Sequence, residues 1–147
     1  KMLKNFIAMF CAEVTLKVLQ ENEKNINLFN FVWNSIFELY SRESPNPNFS
    51  IIYLLNLSRF LGFYPKTKPF PFFNLERGEF VRQKSLNEIC LDKEMSDFLS
   101  QILKDENTYI PRKKKSELLK NILKYFKTHH YNLDNITSHL VIESLRL

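Results

Sequence analysis

The chain has 147 residues, of which 44% are hydrophobic and 14% aromatic, and carries a formal net charge of +5. That is the length of one domain with ample apolar material for a core, which excludes an intrinsically disordered chain. The longest unbroken apolar run, residues 6–12, is far too short to span a bilayer and Glu13 and Lys17 interrupt its continuation, so no membrane contact is expected.

The first helix is expected over residues 2–20, with Leu3, Phe6, Ile7, Phe10, Val14 and Val18 at helical spacing and Met9, Leu16 and Leu19 widening the apolar face into a core helix. A second amphipathic pattern, in which Leu28, Phe29, Val32, Trp33, Ile36, Phe37 and Tyr40 recur at three and four, ends near Arg42. Pro45 and Pro47 break the chain, and Asn48 is placed to cap a third helix over 49–61. Apolar residues fill nearly every position of that helix, so it must be covered on most sides, and Gly62 and Pro65 supply its stop.

Residues 66–71, with Pro69 and Pro71, cannot continue a helix; residues 72–75 and 79–82 flank a turn at Gly78 and read as a small β-hairpin. Helical periodicity returns at Phe98, Leu99, Ile102 and Leu103. Pro111 is expected in the first turn of a long helix that turns Leu118, Leu119, Ile122, Leu123 and Phe126 inward. A last short helix is expected over 137–145, with Leu140, Val141 and Leu145 closing the bundle. The fold class is therefore all-α, a bundle of about six helices with a hairpin and linker inserted at 66–84.

Charge is not evenly spread. Arg112, Lys113, Lys114, Lys115, Lys120, Lys124 and Lys127 face a single acid, Glu117, across 16 residues, so this stretch holds +6 and the rest of the chain sums to −1. A localised basic face suits a phosphate backbone or an acidic peptide, against the plainer reading of a solvated helix surface. Tyr125 and Tyr131 lie close enough in sequence to stack on bases, although aromatics at helical spacing are more often core. Glu13 and Arg59 stand as isolated charges in apolar helices. They are candidates for a structural ion pair between the first and third helices, while Arg59 beside Phe60 and Phe63 is alternatively a carboxylate-binding residue.

Catalysis is not expected. The sequence has no GxSxG, Walker, GxGxxG or HExxH pattern, and two glycines cannot build a phosphate cradle. His129, His130 and His139 lack a ligand partner at motif spacing, so no metal or other cofactor is expected. Cys11 and Cys90 are too few for a disulfide framework and read as reduced core thiols. With neither a cationic leader nor a small-residue cleavage site, a cytoplasmic location is expected. An apolar helix already under way at Lys1 suggests that a longer protein has an upstream portion.

Several segments in order resemble the C-terminal helical part of RecO, the bacterial recombination mediator, in its Bacteroidetes-like form. They are residues 10–14 (FCAEV), 27–29 (NLF), 57–65 (LSRFLGFYP), 73–75 (FNL), 78–80 (GEF), 123–130 (LKYFKTHH) and 138–140 (SHL). The resemblance implies a single RecO-like C-terminal helical domain over 1–147, preceded in the family by an OB-fold domain. It also implies a role in DNA repair without enzymatic chemistry. In the family that role comprises binding single- and double-stranded DNA, binding the acidic tail of single-stranded DNA-binding protein (SSB), annealing strands, and loading RecA together with RecR. The alternative is a purely structural bundle that braces an OB domain and a partner protein. Many family members carry a four-cysteine zinc site after the equivalent of Pro65. This sequence has no cysteine there, so zinc is not carried over, and Phe72, Phe73, Phe80 and Val81 are expected to hold that corner by packing.

Overall fold

In the computed structural model the described residues are 2–19, 26–136, 141 and 145–146. In chain order they form α1 (Met2–Leu19), α2 (Ile26–Ser41), α3 (Phe49–Leu61), β1 (Phe72–Asn74), β2 (Glu79–Val81), α4 (Lys93–Lys104) and α5 (Arg112–Thr128). The helix expected over 137–145 lies largely outside the described residues; of its members, Val141 and Leu145 are buried.

The central element is α3, which packs against α1, α2 and α5, while α4 packs against α5 and β1. Its run of apolar residues leaves no polar stripe to face water, and Phe49, Ile51, Tyr53, Leu54, Leu55 and Leu57 are all buried. Gly62 ends it in the left-handed conformation (φ 92°), with the Gly62 N–H donating to Arg59 O at 3.3 Å and the Phe63 N–H to Ser58 O at 3.0 Å. This is the Schellman arrangement that a glycine adopts without Cβ strain. At the other end Asn48 sits at the cap position but does not cap α3 with its side chain. Its amide instead donates to Glu106 O (3.0 Å) and Thr108 O (2.8 Å), tying the loop after α4 to the start of α3.

Beneath α3, α1 buries Ile7, Phe10, Cys11, Val14 and Val18 along one stripe. Thr15 returns its hydroxyl proton to Cys11 O and lies 2.7 Å from the Tyr53 hydroxyl, so the polar groups in this layer are satisfied. Burial pushes both the Cys11 thiol and the Tyr53 hydroxyl well above their ordinary values. The expected reduced core thiol is found at Cys11, whereas Cys90 is only half-buried.

The corner after α3 is held by packing and backbone bonds. β1 and β2 are antiparallel, with Phe72 opposite Val81, Phe73 opposite Phe80 and Asn74 opposite Glu79. Both edges are covered, as short sheets require. On one side the Lys66 N–H donates to Gly78 O (2.8 Å) and the Phe80 N–H to Lys66 O (3.3 Å). On the other, the Leu75 N–H donates to Ile89 O (2.8 Å) and the Leu91 N–H to Phe73 O (2.9 Å). Of the four aromatic and aliphatic residues expected to hold it, Phe73 and Phe80 are buried, their rings 5.2 Å apart, while Phe72 and Val81 are half-buried.

Four expectations need correction. α4 begins at Lys93, a turn earlier than the periodicity from Phe98 suggested, because Asp92 accepts the Met95 N–H at 2.8 Å and caps it. Pro111 is the residue before α5, not part of its first turn. Met9, Leu16 and Leu19 do not widen the core face of α1 but are exposed. In α2 only Leu28 and Leu39 are buried; Phe29, Trp33, Phe37 and Tyr40 face outward. Helical spacing identifies a shared face, and here α3 is covered by the adjacent face instead, through half-buried Phe31, Val32 and Ile36.

Candidate functional site

The basic residues of α5 separate into three groups by what each side chain meets. Lys114 pairs with Glu94 of α4 at 2.8 Å, and that carboxylate raises the ammonium above its ordinary value. Lys127 pairs with Asp134 at 2.6 Å. Lys115, expected on the binding face, is only 4% exposed. Its Nζ donates to Pro47 O at 3.0 Å, and burial, assisted by nearby Arg112, lowers its pKa. It braces α5 against the start of α3. Lys113, Lys120 and Lys124 are exposed, with no ion pair among the described residues.

What brings some of these lysines together is the chain that follows α5. After Thr128 the backbone turns sharply, with His130 in the left-handed region (φ 75°), and returns so that Leu133 and Ile136 are buried beside the helix. The turn is fixed by His129. Its ring stacks on Phe63 (centroids 4.7 Å apart, planes 2° from parallel), and Nε2 lies 2.8 Å from Leu75 O. A carbonyl only accepts, so this nitrogen carries the proton. His129 is thus a half-buried residue held in place by ring stacking and this hydrogen bond.

Between the last two turns of α5 and this returning segment lies a groove of about 730 Å³. Leu123, Leu133, Ile136, Val141 and Ile89 give it an apolar lining, and Lys120, Lys124 and Lys127 enter from α5. Positions 120, 124 and 127 share one helix face, which is why the three ammonium groups arrive together. Among the described residues Asp134 is the only acid in the lining, and Lys127 already holds it. Thr128 donates its hydroxyl to Lys124 O at 2.9 Å, so it is not poised as a nucleophile. The arrangement suits binding: an apolar side chain below and carboxylates above, in a cavity of ordinary ligand-site size.

The other candidates lie elsewhere. Arg112 and Lys115 border a separate cavity of about 350 Å³ with Tyr109, Asn48 and Arg146. Lys113 lines neither. Arg59 is exposed, its guanidinium carbon 4.1 Å from the Tyr64 ring centroid, a cation–π contact. A buried charge was the premise for pairing it with Glu13, and Arg59 is not one; Glu13 is half-buried on α1. Phe63, expected beside Arg59 in the carboxylate-binding reading, is in the core, and so is Tyr125, which removes it as a base-stacking candidate. Tyr125 donates its hydroxyl to Phe63 O, and burial raises its pKa.

Sequence reasoning found the lysines but not the groove, whose apolar lining comes from three separated stretches. Leu133 and Ile136 gave only a faint signal, two apolar residues in a polar tail. Among the described residues no cluster of three or more His, Cys, Asp or Glu is able to hold a metal, and no helix is long and apolar enough to cross a membrane.

Residues 1–68 match the family profile described as "Recombination protein O C terminal". Over 97% of its length the chain is 28% identical to the DNA repair protein RecO of Azobacteroides pseudotrichonymphae, covering 63% of that protein. It is 33% identical to RecO of Christiangramia forsetii over 86% of the chain and 55% of the relative. For RecO of Phocaeicola vulgatus the identity is 32%, over 69% of the chain and 43% of the relative. The chain therefore spans between about two fifths and two thirds of the length of these curated relatives. No solved structure matches it. Fold and matches together define a helical domain of a recombination-protein class. The chain belongs to the RecO family, as its C-terminal helical part.

Proposed function

We propose that this domain acts in DNA repair as a non-enzymatic recombination mediator, and that its α5 groove receives the acidic C-terminal tail of SSB. That tail ends in Phe, so it needs an apolar pocket with cations beside it. The juxtaposition of Lys120, Lys124 and Lys127 with Leu123, Leu133 and Ile136 is the observation that supports this reading. The phenyl group occupies the apolar lining. The terminal carboxylate and the preceding acids meet the ammonium groups, of which Lys120 and Lys124 are not committed to ion pairs among the described residues.

Lys113, Lys120 and Lys124 also lend positive surface to single- or double-stranded DNA, and through these contacts the whole protein supports annealing and, with RecR, RecA loading. The rival reading, a scaffold bracing an OB domain and a partner, draws support from Lys114, Lys115 and Lys127, which are held by Glu94, Pro47 and Asp134.

A fluorescent SSB-tail peptide titrated against the chain tests the reading. Saturable binding at tens of micromolar or tighter in low salt is expected, weakened at least tenfold by Lys120→Glu with Lys124→Glu and by deleting the terminal Phe. Binding that survives both changes, or its absence, refutes the groove. Loss of peptide binding with unchanged DNA affinity and salt slope limits the lysines to the peptide.

A further inference from the structure

α2, which packs on α1 and α3, carries an apolar stripe that nothing among the described residues covers. Phe29, Trp33 and Phe37 are 66%, 66% and 68% exposed, with Ile26 and Tyr40 at its ends. At 100° per residue these five positions fall within one narrow arc of the helix. Beside the stripe runs a second one on α1, Met2, Met9 and Leu16, also exposed. The two are aligned antiparallel: Tyr40 donates its hydroxyl to Asn5 Oδ1 at 2.6 Å, and Lys4 Nζ donates to the Arg42 carbonyl.

The joint face is too large to be incidental. Its aromatic and aliphatic side chains present on the order of 1,000 Å², beyond the few hundred Å² usual for a monomer's largest apolar patch and close to what one partner contributes to a stable dimer. No charged residue lies within the α2 stripe; Glu38 of α2 and Arg42 just after it pair with each other at 3.4 Å.

The spacing of the stripe indicates its occupant. Positions 26, 29, 33, 37 and 40 are symmetric about 33. An antiparallel helix pair related by a two-fold axis at Trp33 sets Trp33 against its own copy, Phe29 against Phe37, and Ile26 against Tyr40. A hollow of about 310 Å³ bounded by Trp33, Ile36, Phe37 and Tyr40 then lies where Phe29 of the second copy arrives. We propose that the chain forms a two-fold dimer through this α1–α2 face, centred on Trp33.

Trp33 is also the chain's sole tryptophan, so it reports directly on its own burial. Equilibrium sedimentation of the 147-residue chain is expected to show twice the monomer mass at micromolar concentration. The tryptophan emission should shift to the blue and resist acrylamide quenching as concentration rises. Trp33→Asp, at an exposed position, should return a folded monomer by circular dichroism. In a Cys90→Ser background, mild oxidation should cross-link Trp33→Cys chains to each other, whereas Phe37→Cys should cross-link to Phe29→Cys and not to itself. A monomer with concentration-independent emission would overturn the proposal and leave the face to the part of the longer relatives that this chain does not span. Cross-linking through Phe37→Cys alone would overturn the two-fold axis at Trp33.

Discussion

The α5 side and the α2 side of α3 use similar aromatic content to opposite ends. On the α5 side Phe63 meets four rings, Tyr125 and Phe126 edge-on at 5.3 and 5.0 Å and His129 and Tyr131 stacked at 4.7 and 5.8 Å, and Tyr125 and His129 each reach a backbone carbonyl. On the α2 side Phe31 stacks on Tyr53 at 5.1 Å, while the helix's other rings point to water. Aromatic residues alone therefore do not mark a core. What marks it is closure from a second direction, and α5 with the hairpin supply that closure only to one side.

If closure is what counts, truncation should be costly on one side and nearly free on the other. The largest effect is expected for Phe63→Ala, about 3–5 kcal/mol by denaturant unfolding, since four rings lose their shared neighbour. Gly78→Ala comes next at roughly 2 kcal/mol, because φ is 68° and an added Cβ would lie 2.7 Å from the Tyr125 hydroxyl oxygen. Removing that oxygen sharpens the point. In a Tyr125→Phe background the cost of Gly78→Ala should fall by about 1 kcal/mol, and additive costs would show that the hydroxyl and the turn are not in contact. Trp33→Ala, measured at a concentration too low for association, should cost no more than about 0.5 kcal/mol. A cost near that of Phe63→Ala would break the comparison.

The smallest effect concerns pH. Lys68, 2.9 Å from Glu79, holds that carboxyl below its ordinary value, chiefly by its hydrogen bond. A carboxyl whose folded pKa is depressed contributes stability that is present above its unfolded pKa and is lost as pH falls through the folded value. Glu79→Gln should therefore lower stability slightly at neutral pH, leave it unchanged at strongly acid pH, and so flatten the acid limb of the stability profile. An unaltered acid limb would mean that the ion pair contributes nothing.

Where local chemistry determines an element, the sequence was sufficient. α3 runs between the Pro47 break and the Gly62 stop as expected, and the hairpin forms about Gly78. α1 and α2 were located correctly, but the assignment of their faces failed at Met9, Leu16, Phe29 and Trp33. Periodicity records which residues share a face and carries no information about what covers it. The start of α4 was missed because Asp92 sits among Lys93 and Glu94, where one capping carboxylate looks like another surface charge. The site divided similarly. The lysines were visible as a charge run, but the burial of Lys115 against Pro47 and the meeting of Leu123 with Leu133 and Ile136 depend on contacts distant in sequence.

The two hydrogen bonds that α5 sends to α3 make it a fixed measure of length. Lys115 grips the carbonyl just before α3 and Tyr125 the carbonyl just after it, so the helices run parallel with both ends pinned. Exchanging a rim lysine for another residue leaves both pins in place. Inserting or deleting one residue between 115 and 125 turns the later part of the helix by about 100° and moves it about 1.5 Å along its axis. One pin must then release, or the lysines must swing away from the groove. Divergent members of this lineage are therefore free to alter the charges along the groove by substitution, while the ten-residue interval that aims them is expected to stay constant.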